Sequence, residues 1–128
     1  AVGILMAEEC YLTQHHLRSV GIAAGSNYVV GGALDGGRCV EFNHLWTGGK
    51  RSDPPAANYA KAEAEFLDVA TDFVRQHPNM GALVLECTGF PPFARALQRE
   101  IELPVFSWGT LLDYAYSVAV HRDYYGHV

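Results

Sequence analysis

Gly81-Ala82-Leu83-Val84-Leu85-Glu86-Cys87-Thr88-Gly89-Phe90-Pro91-Pro92-Phe93 is the stretch from which the architecture can be read. Its first part is a short apolar run of the kind needed by a strand buried on both faces. Cys87-Thr88-Gly89 then interrupts the run, and two prolines follow. Proline suits the first turn of a helix, where its missing N–H costs nothing. Phe93, Leu97 and Ile101 recur one turn apart, so the stretch reads as strand, turn and helix.

The same alternation extends in both directions. Upstream, Ala62, Phe66, Val69, Ala70 and Phe73 recur at helical spacing while Lys61, Glu65, Asp68 and Asp72 point elsewhere, which predicts a helix from about Asn58 to Gln76. His77-Pro78-Asn79 ends it. Downstream, Leu103-Pro104-Val105-Phe106 reads as a strand and Thr110 to Val120 as a final helix. Near the start, Val2-Gly3-Ile4-Leu5-Met6 is a buried-strand run, and Thr13 can cap a helix with Leu17 and Val20 on its apolar edge. Tyr28-Val29-Val30 reads as a strand broken by Gly31-Gly32. The segment from Asp35 to Pro55 carries most of the turn residues, with room for a short strand or helical turn from Cys39 to Leu45. Strands alternating with helices predict a three-layer α/β sandwich around a mostly parallel sheet of about four strands, as a single domain over residues 1–128. Right-handed crossovers place every strand-to-helix loop on one edge of such a sheet, the edge where ligands bind. Cys87 and Thr88 lie on that edge.

Composition narrows the function classes. The 128 residues are 49% hydrophobic, enough for one core, and carry a formal charge of −5 from 14 acids and 9 bases. The bases are scattered, and Lys50-Arg51 reads as a solvated loop, so direct nucleic-acid binding is disfavoured. No run approaches the roughly 20 apolar residues of a membrane span. Ala1 to Ala7 lack the basic leader and cleavage site of a signal peptide. Three cysteines with no CxxC spacing argue against a disulfide framework and a structural zinc site, and predict a reducing, cytoplasmic setting. The chain opens directly in a strand, which predicts that polypeptide once preceded it.

Cys87 is the sharpest chemical candidate. At the entrance to a helix, amides and the helix dipole favour a thiolate. Thr88, Gly89 and Phe90 offer successive backbone N–H groups, an arrangement that suits a carboxylate. A thiolate beside a carboxylate cradle is what proton abstraction next to a carboxyl group requires. Position alone leaves an equal rival, in which Cys87 is a small buried core residue. Glu86 reads either as a charge neighbour of that thiol or, by strand alternation, as half of a structural pair on the opposite face.

The run from Gly81 to Ala94, with Gln98 and Leu103-Pro104-Val105-Phe106, resembles the C-terminal catalytic segment of the Asp/Glu/hydantoin racemase superfamily. Val2-Gly3-Ile4-Leu5, Leu12-Thr13 and Val20-Gly21-Ile22 are similar to the start of that family's second half. The aromatic ending Arg122-Asp123-Tyr124-Tyr125-Gly126 is similar to a terminus of such proteins. The resemblance covers both ends and the centre, and is weak over the loop from Asp35 to Pro55. The resemblance implies an amino-acid racemase or related isomerase working without metal or organic cofactor. Two cysteines would face each other across the α-carbon of a small acidic substrate. Cys87 would be the second of them, with Thr88 and Gly89 at the substrate carboxylate. The first cysteine would belong to an N-terminal half absent from this sequence, and the assembled protein could be a homo-oligomer.

Cys10 and Cys39 are weaker substitutes for that first cysteine. Cys10 lies on the loop edge, but its neighbours Glu8 and Glu9 oppose a thiolate by like charge. Met6 stands where the family often has a hydroxyl residue, and Ser107 where it often has a carboxylate, so substrate contacts are expected to differ. The six histidines show no HExxH or His-x-His spacing. Among them His15 and His16 point apart on a helix, and His44 reads as a surface residue or a substrate contact. Gly31-Gly32, Gly36-Gly37 and Gly48-Gly49 read as turns, and Trp46, Trp108 and Tyr114 as core or interface aromatics. Two rival functions remain. One is a single-cysteine enzyme resembling an arylmalonate decarboxylase; the other is a non-catalytic binding module that keeps the fold.

Overall fold

The computed structural model describes residues 1–47 and 49–126. Four parallel strands form one sheet: β1 (Val2–Met6), β2 (Tyr28–Gly32), β3 (Ala82–Leu85) and β4 (Val105–Ser107), in the order β2-β1-β3-β4. Five helices flank it: α1 (Gln14–Ser19), α2 (Val40–Trp46), α3 (Tyr59–Gln76), α4 (Ala94–Ile101) and α5 (Trp108–Ala119). The architecture is the α/β sandwich with an all-parallel sheet that the alternation predicts. Among the described residues, no helix is long and apolar enough to cross a membrane.

One face of the sheet holds the core. Leu5, Leu83 and Leu85 alternate onto it and meet Ala62, Phe66, Val69, Ala70 and Phe73 of α3 and Leu97 of α4. The expected stripe of α3 is thus the buried one. Asn58 caps that helix by accepting the Lys61 N–H at 3.1 Å. Burying a side chain as large as Phe66 contributes roughly 1.5–3 kcal/mol. α3 and α4 pack on each other, as right-handed crossovers on the same face require.

Several boundaries differ from the sequence reading. Gly31 and Gly32 do not break β2; they pair with Leu5 and Met6 of β1. Their need is steric: a Cβ on Gly31 would stand 2.7 Å from the Phe73 ring, and one on Gly32 would meet the Asp35 carboxylate. α1 ends at Ser19, leaving Val20 exposed. The Cys39–Leu45 segment is helical, as α2. The two prolines open a 3-10 turn, Pro91–Phe93, and α4 begins only behind it. α5 starts earlier than Thr110, because Ser107 and Thr110 form a capping box. Leu111, Leu112, Tyr114, Tyr116 and Val118 along α5 are all exposed.

Candidate active site

Because all strands run parallel, Met6, Gly32, Leu85 and Ser107 end on one edge. From β1 the chain steps outward to β2, then returns across β1 to β3. That reversal opens a crevice at the carboxyl ends of β1 and β3, the position where open α/β sheets hold ligands. Cys87 follows β3 at this point, and the preceding Glu86 N–H donates to the Leu5 carbonyl at 3.0 Å, tying the strand exit to β1.

The Cys87 thiol is half-buried against the core. The Phe90 N–H donates to the Cys87 carbonyl at 3.1 Å and closes the turn. Of the three amides expected to be free, Phe90 is therefore spent. Thr88 and Gly89 have no backbone acceptor among the described residues. The thiol's pKa is raised: burial pushes it up most, the Gly89 amide opposes this, and the Glu86 carboxylate adds to the rise. The expectation of a helix-stabilised thiolate does not hold in this chain. A 3-10 turn separates Cys87 from α4, and a helix dipole is felt only within about its first turn. The direction of the shift favours the protonated thiol over the thiolate.

Aromatic packing fixes the turn. A Cβ on Gly89 would lie 2.8 Å from both the Phe42 ring and Trp46 Nε1, so α2 seats directly against the backbone there. Phe90 packs on Phe66 and Phe42, with ring centroids 4.7 and 5.3 Å apart, and Phe93 packs on Phe66 at 5.4 Å. From another side, Trp108 Nε1 donates to the Thr88 carbonyl at 3.1 Å. A polar network holds α2 in place. Buried Glu41 accepts the Asn58 N–H at 2.7 Å and pairs with Lys61 at 3.2 Å, while the Glu41 N–H donates to Glu65 at 2.8 Å. Sequence reasoning passed over Trp46 and Trp108 as core or interface aromatics. Both are substantially exposed beside the Thr88-Gly89 turn. They are the only tryptophans of the chain, the one mark that could have singled them out.

The other candidates lie elsewhere or are engaged. Cys10 is exposed in the 3-10 turn Glu9–Tyr11, its sulfur 3.9 Å from Glu8 Oε2. It lines a cleft of about 520 Å³ with Leu12, Tyr28 and Asp35, and Cys87 is not part of that cleft. Cys39 is buried under Glu65, and its pKa is pushed up to about 11, chiefly by burial. Glu86 is exposed and has no ion-pair partner among the described residues, so the expected structural pair is not formed. Met6 is buried at the end of β1, and the Ser107 hydroxyl is occupied in capping α5. His44 sits on α2, 3.6 Å from Glu41. A cavity of about 370 Å³ between Arg95, Gln98, Ser107 and Asp113 opens at the end of β4.

The fold and this edge define a parallel α/β protein with a thiol at its topological switch point. No family model matches the chain, and no solved structure matches it. Dimethylsulfoniopropionate lyase 5 of Emiliania huxleyi is 30% identical over 71 residues, which are 56% of this chain and 14% of that protein. The match thus spans about one seventh of the length of that curated relative.

Proposed function

We propose that this chain carries one acid/base of a cofactor-independent enzyme, an amino-acid racemase of the Asp/Glu type or a related isomerase, acting at the carbon next to a carboxylate. The observation that carries the reading is the place of Cys87: a half-buried thiol at the β1/β3 crevice, beside the Thr88 and Gly89 amides, neither of which has a backbone acceptor among the described residues. Those amides would hold the substrate carboxylate. A base on the opposite face removes the α-proton, and the electron pair passes into the carboxylate as an enediolate. Cys87, in the protonated form that its raised pKa favours, returns a proton to the other face and is left as thiolate. The opposing cysteine would come from an N-terminal half, so the isolated chain should be nearly inactive. A homo-oligomer and a reducing, cytoplasmic setting belong to the same reading.

The lyase relative supports a second outcome of the same first step. Dimethylsulfoniopropionate bears its sulfonium on the carbon beyond the one next to the carboxylate. Removing the proton beside the carboxylate lets the new C=C bond form as the C–S bond breaks. Dimethyl sulfide leaves with that bond's electron pair, and acrylate remains.

The test is deuterium incorporation at the carbon beside the carboxylate, in D₂O, for aspartate, glutamate and dimethylsulfoniopropionate. It is run on the chain alone and joined to a half supplying a second cysteine. Exchange with inversion supports the racemase, and dimethyl sulfide release supports the lyase. Exchange unchanged in Cys87→Ser removes the cysteine from the chemistry.

A further inference from the structure

The two edges of the sheet are finished differently. β4 is three residues long and follows Pro104, and a short edge strand behind a proline discourages further pairing. β2 has five residues, Tyr28-Val29-Val30-Gly31-Gly32, with no charge and no proline, and it pairs on one side only, with β1. That ladder runs on to Ala33, whose N–H donates to the Met6 carbonyl at 2.9 Å. Hydrogen-bonding direction alternates along a strand, so Val29, Gly31 and Ala33 face β1 while Val30 and Gly32 turn their N–H and C=O outward. Neither outward amide has a backbone acceptor among the described residues. A cleft lies on each side of this edge. On the α3 side, about 310 Å³ is bounded by Gly31, Phe73, Arg38 and Asp72; on the α1 side, about 520 Å³ is bounded by Leu12, Leu17 and Tyr28. Val30, Glu9 and Asp35 border both clefts. Successive side chains of an added strand point to opposite faces, so they would enter the two clefts in turn.

Charge selects the partner. Glu9 and Asp35 are exposed, and neither has an ion-pair partner among the described residues. Arg38 is the one Lys or Arg among the described residues that line either cleft, and it is already held by Asp68 and by Asp72 at 2.8 Å. A second copy of this chain, with its net charge of −5, would bring carboxylates to carboxylates. We propose that, apart from any chemistry at Cys87, the β2 edge binds an extended basic segment of a partner protein, which adds to the sheet as a fifth strand. Val30 and Gly32 provide the main-chain hydrogen bonds. Side chains on the α3 side are Lys or Arg, met by Glu9 and Asp35. Those on the α1 side are apolar and enter the cleft of Leu12, Leu17 and Tyr28.

The probe is a fluorescently tagged peptide, acetyl-Lys-Val-Lys-Val-Lys-amide, titrated against the full chain by anisotropy. One control is its Glu-Val-Glu-Val-Glu counterpart. The other is the basic peptide N-methylated throughout, which keeps the charge but cannot pair with a strand edge. The basic peptide should bind about tenfold more tightly than either control. At saturation, hydrogen exchange should slow about tenfold at Val30 and Gly32, while Val29 and Gly31, already paired to β1, should be unchanged. Glu9→Gln combined with Asp35→Asn should bring the basic and acidic peptides within about twofold of each other. No binding by the basic peptide, or equal binding by its methylated form, overturns the proposal without requiring any variant to fold. Slowed exchange at Val30 and Gly32 that appears without peptide and grows with protein concentration would give the edge to a second copy, and overturns it as well. A basic preference that survives the double variant removes the two carboxylates from the recognition.

Discussion

Trp46 occupies the space that a side chain at position 89 would need: its Nε1 lies 2.8 Å from where a Cβ on Gly89 would stand. The helix before the longest helix of the chain is thereby seated against the backbone of the turn that carries the candidate thiol. Anything that moves α2 moves the Thr88 and Gly89 amides with it.

Gly89→Ala tests that seating. Trp46 is partly exposed and can swing away, but Phe42, equally close, is 1% exposed and walled in by Phe90 and Phe93. Inserting one methyl into such packing costs about 1–3 kcal/mol. Urea denaturation should show a lower midpoint with an unchanged slope, and turn-dependent ligand binding should weaken further than stability alone accounts for.

The parts of the fold that were legible in the sequence are those whose signal is local. The stripe from Ala62 to Phe73 and the run Gly81–Leu85 reveal themselves by period and length, and both elements stand where expected. β2 did not, because Gly31-Gly32 reads as punctuation until Phe73 and Asp35 are seen pressing on it. α2 was ambiguous because its stabilising partners, Asn58, Lys61 and Glu65, lie on another helix. At the site, the strand-exit position of Cys87 was legible. The loss of the Phe90 amide and the arrival of Trp46 and Trp108 were not, since no spacing connects residues so far apart in the chain.

The three thiols should differ sharply toward a neutral alkylating reagent. Cys10 is exposed and should react first, Cys87 more slowly, and Cys39 only on unfolding, being 1% exposed with its pKa pushed up to about 11. The Cys87 rate should keep climbing as pH passes 9.0, its ordinary value, because its pKa lies higher. Glu86→Gln removes a carboxylate that raises that pKa, so Cys87 should alkylate faster in this variant at a fixed pH of about 8. Mass spectrometry of timed digests measures all three sites.

Two phenylalanines on opposite sides of the sheet make a contrast of burial. Phe66 is fully buried and touches Phe90 and Phe93, so Phe66→Ala should cost about 3–5 kcal/mol and loosen the turn. Phe106 is 53% exposed, and Phe106→Ser should fall within about 0.5 kcal/mol of the parent chain. Equal losses in chemical denaturation would show that the second face of the sheet is as firmly packed as the first.

Acid should release α2 from α3. Glu41 has its pKa lowered, first by the Asn58 amide and then by Lys61, against a smaller opposing effect of burial. Unfolding returns it to the ordinary value of 4.5, so the unfolded chain binds the proton more readily than the fold does. The contribution of Glu41 is therefore fully present above that value. It is lost as pH falls through the ordinary range and on past the lower folded value. Glu41→Gln keeps an acceptor for the Asn58 amide but has no charge to lose. The melting temperature of the parent chain should exceed that of Glu41→Gln at pH 7, and the gap should close as the pH is brought below about 4. A gap that stays constant from pH 7 to pH 3 would mean that the Glu41 carboxylate does not hold α2 through its charge. The seating of Trp46 on Gly89 would then rest on apolar packing alone.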